Sequence, residues 1–267
     1  MNCDIGFRKK GGSSRRRRLT RLAAMLSTTK GALWDWTSLP SIYEDNGTDL
    51  AEIDDRIYLT AARDHGTANP VAWSQATEAN RPILRNGHVE FDGADSSFDG
   101  DANVRGIFRN VGAGFFATRW QSASLAGNNV IARWSRGGDT QPRLEFQVQT
   151  TGALRLSTRR GDADGSTTNV DSATALITTN VWHSFIGTID WLNGGAGAIK
   201  GYLDGVEVLS GDLAGTGATS NTASVHGRLM RSSGSTYYDG KMVRCIAADM
   251  IPSADQRALI NAVLAGP

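Results

Sequence analysis

The sequence predicts an all-β protein, an antiparallel β-sandwich or jelly roll with one short C-terminal helix and an extended basic N-terminal arm. Three observations carry this. From residue 88 onward, short β-prone runs alternate with clusters of Gly, Asp, Asn and Ser. Residues 180–208, NVWHSFIGTIDWLNGGAGAIKGYLDGVEV, hold two chain reversals between runs of period two. A helical period is read only near the end, at 253–264.

The arm comes first in the chain. Residues 1–30 hold nine Lys or Arg against one acid, Asp4, a charge of +8, while the remaining 237 residues carry 19 basic and 26 acidic groups, a charge of −7. Arg15, Arg16, Arg17 and Arg18 are consecutive and Arg21 follows one turn on. A segment this charged buries too little apolar surface to fold alone and is expected to stay disordered until it docks. It is not read as an export leader, because Arg21 interrupts the apolar core and LAAML is five residues long. No stretch approaches the ~18 apolar residues of a membrane span. Two cysteines, Cys3 and Cys245, are too few for a disulfide scaffold, so a reducing compartment is expected.

Residues 31–87 read as an irregular lead-in packed on the sandwich, since LWDWTSLPSIYEDNGTDL mixes aromatics with turn formers without a period. The sandwich proper is placed at 88–267, as a single large domain with ample apolar material for a core. Strands are expected at 88–92, 114–120, 129–134, 143–149, 153–158, 181–190, 197–203, 206–209, 225–230 and 240–248. In the strongest of them Val181, His183, Phe185, Gly187 and Ile189 share one face, and Trp182, Ser184, Ile186, Thr188 and Asp190 the other. Asp204-Gly205 marks a hairpin, because a type I′ turn needs positive φ at both central residues. Phe185, Ile189, Leu203 and Val243 are expected in the core. Ser253 after Pro252 is the N-cap of the final helix, with Ala258, Leu259, Ala262 and Val263 on one stripe and Gly266-Pro267 as the stop.

VEFDGADS, VWHSFIGTID…GYLDGVEV and YYDGKMVRCIAADMIPSADQRALINAVL, in that order, resemble the concanavalin A-like, laminin G-like sandwiches over residues 88–264. The lead-in resembles the segment before such sandwiches in tailed-bacteriophage virion proteins. Asp64, Gly66, Gln75, Ala76, Thr77, Arg81, Pro82, Phe91, Asp92 and Gly93 stand at the matching places, although IDDRIYLTAARDHG departs from the usual wording. The resemblance implies a structural protein on the surface of a phage particle, made in the host cytoplasm without a signal peptide. A head decoration or spike is favoured over a tail fibre. It would be present in many copies or as a homo-oligomer and would display a lectin-like domain to host glycans. The alternative is a secreted bacterial carbohydrate-binding module or a glycan-active hydrolase or lyase.

Chemistry is sparse. Some members of the fold are hydrolases with an E-x-D-x-E strand, and retaining hydrolysis needs two carboxyl groups ~5 Å apart. Here Glu52 and Asp54 fit but Arg56 takes the third place, so no catalytic residues are assigned and the chain is read as not an enzyme. His65, His88, His183 and His226 are isolated, and no phosphate-binding glycine loop or nucleophile elbow occurs. No cofactor or metal is expected. Asp92, Asp95, Asp99 and Asp101 lie within ten residues, with Asp99 and Asp101 the weak calcium candidates, and turn chemistry is the competing reading. For sugar stacking Trp120, Trp134 and Trp191 are the candidates, since each lies near a strand end or turn; core packing competes. The arm, through Arg15, Arg16, Arg17, Arg18 and Arg21, is read as an anchor in an acidic groove of another capsid or tail protein. Arginine-rich tails also bind nucleic acid, but no recognition helix, zinc finger or aromatic platform accompanies this one.

Overall fold

The structure, a computed structural model, describes the chain apart from residues 1–10, 38–40, 46–48, 64, 66–69, 128, 137–140, 163–165, 194, 214–225, 233–235 and 267. Cys3, the first ten residues of the basic arm, and Asp64 and Gly66 of the lead-in pattern therefore lie outside the described residues.

Helix α1 (Gly11–Leu26) is followed by short strands β1 (Gly31–Asp35), β2 (Ile42–Tyr43), β3 (Leu59–Arg63), β4 (Pro70–Ser74), β5 (Ile83–Arg85), β6 (His88–Asp92) and β7 (Phe98–Gly100). A one-turn helix α2 (Ala102–Gly106) leads into β8 (Ala113–Ser122), β9 (Asn129–Arg136), β10 (Gln141–Val148), β11 (Leu154–Thr158), β12 (Thr168–Asp171) and β13 (Trp182–Asp190). The chain ends with β14 (Ile199–Leu203), β15 (Val206–Gly211), β16 (His226–Leu229), β17 (Asp239–Ala248) and α3 (Ala254–Ala265). Among the described residues these form two antiparallel sheets. The first runs β15-β14-β13-β8-β17-β6-β5 with β1 also on β17, and the second runs β12-β11-β10-β9-β16-β7-β4-β3-β2. The expected two-sheet sandwich with a C-terminal helix is what forms.

Strand parity builds the core. Phe116 and Trp120 of β8, Phe185 and Ile189 of β13, Trp134 of β9 and Leu144 and Phe146 of β10 all point between the sheets. Phe146 stacks on Phe185 at 4.1 Å, and Trp34, Trp73 and Trp134 meet in sequence at 5.5 and 5.7 Å between ring centroids. Asp204 and Gly205 take the positive φ values, 50° and 89°, that the hairpin requires. Asp204 also ties the hairpin back, accepting from the Ser184 N–H and meeting His183 Nδ1, both at 2.8 Å.

Three expectations are corrected. The sandwich begins at residue 31 rather than 88: β1 pairs with β17, β2, β3 and β4 extend the second sheet, and β5 flanks β6. These strands are two to five residues long, too short to show a period. Much of the lead-in pattern holds this region together. Gln75 donates to Ser97 O, and Arg81 donates to the carbonyls of Glu44, Gln75 and Ala76.

The second correction concerns the arm, which over Gly11–Leu26 is neither extended nor separate from the fold. Leu19, Leu22, Met25 and Leu26 recur at helical spacing and pack, with Ile260, Val263 and Leu264 of α3, on Phe115, Ala117, Ile186, Ile246 and Ala248. These residues form a second apolar cluster on the outer face of the first sheet. Partners supplied by that sheet offset the helix's own charge.

The third correction is Val243, which is half-buried because it occupies a β-bulge between Met242 and Arg244. The extra residue turns Arg244, only 1% exposed, onto the outer face beneath the helices. There its Nε meets Asp35 Oδ1 at 2.9 Å, and its Nη1 donates to the Val263 and Gly266 carbonyls at 2.8 and 2.7 Å, capping α3. Asp35 also receives Arg15 Nη2 at 3.2 Å, and Thr37 Oγ1 accepts from Arg15 at 2.7 Å and from Arg244 at 3.0 Å. Burial lowers the Arg244 pKa, and the Asp35 carboxylate opposes that shift.

Removing the acid leaves two cations facing one another under α3. Asp35→Ala is expected to lower unfolding free energy by about 3–5 kcal/mol in urea titrations. A second expectation concerns alkali. The Tyr238 hydroxyl is buried, accepts from Trp120 Nε1 at 3.1 Å and shares a hydrogen bond with Ser122 Oγ; burial raises its pKa well above the ordinary value. As pH rises past ~10 the unfolded chain loses this proton while the folded chain keeps it, so stability falls. Tyr238→Phe is expected to be less stable at neutral pH by ~1–3 kcal/mol, from the orphaned partners. It should also show a flatter decline above pH ~10, as read from melting midpoints.

Candidate functional site

The residues that alternate with the core on the second sheet form one unbroken polar row. Read strand by strand it is Asn169, Ser157, Glu145, Arg133, Arg228, Asp99 and Ser74, each paired with the next across the ladder. The neighbouring row, Val170, Leu156, Phe146, Ala132, Leu229 and Phe98, points to the opposite side, into the core. The polar row therefore lies on the outer face, yet its centre is little exposed: Arg133 and Glu145 at 6% and Arg228 at 8%.

Ion pairs fix the row. Arg133 Nη1 lies 2.7 Å from Glu145 Oε2, and Asp99 receives Arg228 at 3.4 Å and Arg231 at 3.8 Å. One step along the strands, Arg155 grips Asp171 through two nitrogens at 2.6 and 2.8 Å. That grip holds the Asp171 carboxyl below the usual carboxylate range and raises the Arg155 pKa. At the end of β10 and β11, Arg143 lies 3.8 Å over the Trp191 ring and donates to Val111, Arg159 and Arg160 carbonyls. Arg160 donates to the carbonyls of Trp191 and Leu192. These two arginines clamp the sandwich end beside the row. Chemically the face offers guanidinium donors, carboxylate acceptors, and serine and asparagine groups that suit hydroxyl-rich ligands.

The residues singled out from the sequence fare differently. Trp120, Trp134 and Trp191 are wholly buried and are withdrawn as stacking groups. Their indole N–H groups donate inward, to Tyr238 Oη, Val104 O and Thr158 Oγ1. Strand-end position misled the reading; inward parity decided it. The half-exposed indole is Trp182, on the opposite face of β13 from Phe185, with the His88 ring 5.9 Å away and the Arg119 guanidinium 5.8 Å from its centroid. The alternation along β13 already separated Trp182 from the core. Burial, then the Lys241 cation, lowers the His88 pKa.

Asp99 faces two arginines, and Asp101 caps α2 by accepting from Val104 N and also accepts from Ala72 N. Burial works against the Asp92 carboxylate, but N–H groups of Ala94, Ser96 and Asp95 outweigh it and lower its pKa. The aspartate run is turn and cap chemistry. Among the described residues no group of three or more His, Cys, Asp or Glu gathers as a metal site. Glu52 and Asp54 are exposed on a turn in which Asp54 has φ 78° and is paired with Arg85. Arg56 donates to the Glu78, Ala79 and Arg81 carbonyls.

Of the arm's arginines, Arg15 is engaged at Asp35 and Arg18 lies against Gly266 at the end of α3. Arg16, Arg17 and Arg21 are exposed. Cys245 is buried in the core as a free thiol whose pKa burial raises.

Residues 118–244 match the family profile of the concanavalin A-like lectin/glucanases superfamily. No curated protein sequence matches the chain. Among solved structures it is similar to Trypanosoma rangeli sialidase in complex with 2,3-difluoro-KDN, at TM-score 0.56 and 11% identity over 94% of this chain and 38% of that one. The same sialidase in complex with sialic acid gives TM-score 0.55 and 12% identity over 93% and 38% of the two chains. The CBM40 domain of Ruminococcus gnavus IT-sialidase, bound to α2,3-sialyllactose, gives TM-score 0.53 and 14% identity over 66% and 96%. The chain thus spans well under half the length of the trypanosomal enzyme. These likenesses establish the fold, an antiparallel two-sheet jelly roll similar to the concanavalin A-like sandwiches, and leave activity to be argued from residues.

The two kinds of tryptophan separate in a direct test. Trp134→Ala should destabilise the protein by about 3–5 kcal/mol, whereas Trp182→Ala should leave the urea midpoint nearly unchanged.

Proposed function

We propose that this chain is a non-catalytic, glycan-binding display protein on the surface of a tailed-phage particle, offering the outer face of its second sheet to the ligand. One observation carries the reading: the polar row from Asn169 to Ser74, unbroken over seven strands and pre-set by ion pairs. A preset, shielded row of donors and acceptors binds hydroxyl-rich ligands with little ordering cost. The row's carboxylates, Glu145 and Asp99, and Asp171 beside it are each held by arginine, which favours recognition over acid–base chemistry.

The virion setting rests on the lead-in sequence around Gln75, Arg81 and Phe91. Anchoring falls to residues 1–10 and the exposed Arg16, Arg17 and Arg21, since Arg15 is paired with Asp35 and Arg18 is packed against Gly266. A head decoration or spike remains favoured over a tail fibre. The second reading, a binding module of a glycan-active enzyme, is favoured by the similarity to part of a sialidase chain.

On a glycan array the full-length protein should retain at least one cell-surface glycan, and Arg133→Glu should abolish retention without releasing reducing ends from any glycan. Particles lacking the component should take up the purified protein, and the triple change Arg16→Glu, Arg17→Glu, Arg21→Glu should prevent it. Failure to retain any glycan would remove the lectin reading, and equal uptake of both forms would remove the anchor.

A further inference from the structure

Among the described residues, one cation beside this row has no opposite charge. Arg159 follows directly on β11 and is 6% exposed. Its Nε has no hydrogen-bond partner, and no carboxylate among the described residues lies within ion-pair distance of it. Thr158 points inward, accepting from Trp191 Nε1 and donating to the Arg143 carbonyl. Alternation then turns Arg159 to the outer face, on the side of Ser157 and Arg155.

Charge accounting isolates it further. Among the described residues this face carries five guanidinium groups, Arg133, Arg155, Arg159, Arg228 and Arg231, against the carboxylates of Glu145, Asp171 and Asp99. Arg155 takes Asp171, Arg133 takes Glu145, and Arg228 and Arg231 share Asp99. Arg159 is left over. A guanidinium shut away from water without a counter-charge is costly to hold, and among the described residues the neighbouring pairs already take the carboxylates of this face.

We propose that Arg159 anchors an anion subsite on this face, taking the carboxylate or sulfate of an acidic glycan while the adjoining row takes its hydroxyls. The geometry of the fork suits either group, bidentately. The inference rests on the glycan-binding reading and adds the charge of the sugar to it.

The test titrates full-length protein with α2,3-sialyllactose, lactose 3′-sulfate and lactose. One or both acidic sugars should bind at least about tenfold more tightly than lactose. Arg159→Gln should reduce them to the lactose level, and Arg159→Lys should restore part of the difference. A preference for the sialylated sugar assigns the group to a carboxylate, and one for the sulfated sugar to a sulfate ester. Because the wild-type guanidinium pairs with no group among the described residues, Arg159→Gln should not lower the melting midpoint, a readout that a structural role would move. A lowered midpoint with an unchanged preference overturns the subsite. Equal binding of all three sugars overturns it while leaving the lectin reading in place. Binding of none overturns the subsite, and the array then decides whether the lectin reading falls as well. Retention of a single-stranded oligonucleotide in place of the sugars, lost in Arg159→Gln, would assign the face to nucleic acid and overturn the proposal.

Discussion

The contact between Arg244 and Asp35 is the constraint on which the rest of the molecule turns. Arg244 sits on the long strand β17, Asp35 on the short strand β1, and the same guanidinium closes the carbonyl end of α3. Arg15 reaches the same carboxylate from α1. Four elements, from Arg15 near one end of the chain to Gly266 near the other, therefore meet at one charge pair. Desolvation makes such a pair a weak source of stability but a severe one to break. It selects one arrangement of the outer layer: with α3 and α1 displaced, a nearly buried guanidinium would lose the carbonyls and the carboxylate that offset its charge. The bulge at Val243 makes this contact, since without the extra residue Arg244 would share the parity of Met242 and point into the core.

The second sheet solves a related problem differently. Where the first sheet covers its outer face with two helices and an apolar cluster, the second leaves that face polar and binds the charges to one another. Along the row Glu145 holds Arg133 and Asp99 holds Arg228, so each of the two arginines that face one another between β9 and β16 has a carboxylate on its far side, at sites where an apolar residue would invite a further layer. Fold alone says nothing of what such a face meets; the argument for a ligand comes from the shielding of the charges and the surplus cation.

Much of this was legible in the sequence, for identifiable reasons. From β6 onward every strand except β7 and β12 announces itself through alternating hydrophobics with Gly or Asp punctuation, whereas those two are three and four residues long and show no period. The Asp204-Gly205 turn and the Ser253 cap follow from local chemistry and occur as expected, the latter with Gln256 completing a capping box. What was missed needed information from elsewhere in the chain. Strands β1 to β5 exist because partners in β6, β7 and β17 accept them, and their own residues carry no period. The charge of Arg15 to Arg18 obscured the Leu19, Leu22, Met25, Leu26 stripe, which was there to be read. Parity in ARWSR, RLEFQ and LRLSTR shows that Arg133, Glu145 and Ser157 avoid the core, but their adjacency to Arg228 and Asp99 depends on strand order. The tryptophans show the opposite failure, a residue type matched to a role without asking which way its strand faces.

The position of α1 gives the molecule a heading. It lies on the outer face of the first sheet, the side away from the polar row. Between α1 and the polar row stand both sheets, spaced by roughly 10 Å of packed core. A partner that held the molecule at α1 would leave the opposite side, with the polar row, turned outward. Neighbouring copies fastened in the same way would all present the same side. Weak contacts at each row would then act together, as bristles of one brush rather than as separate hooks.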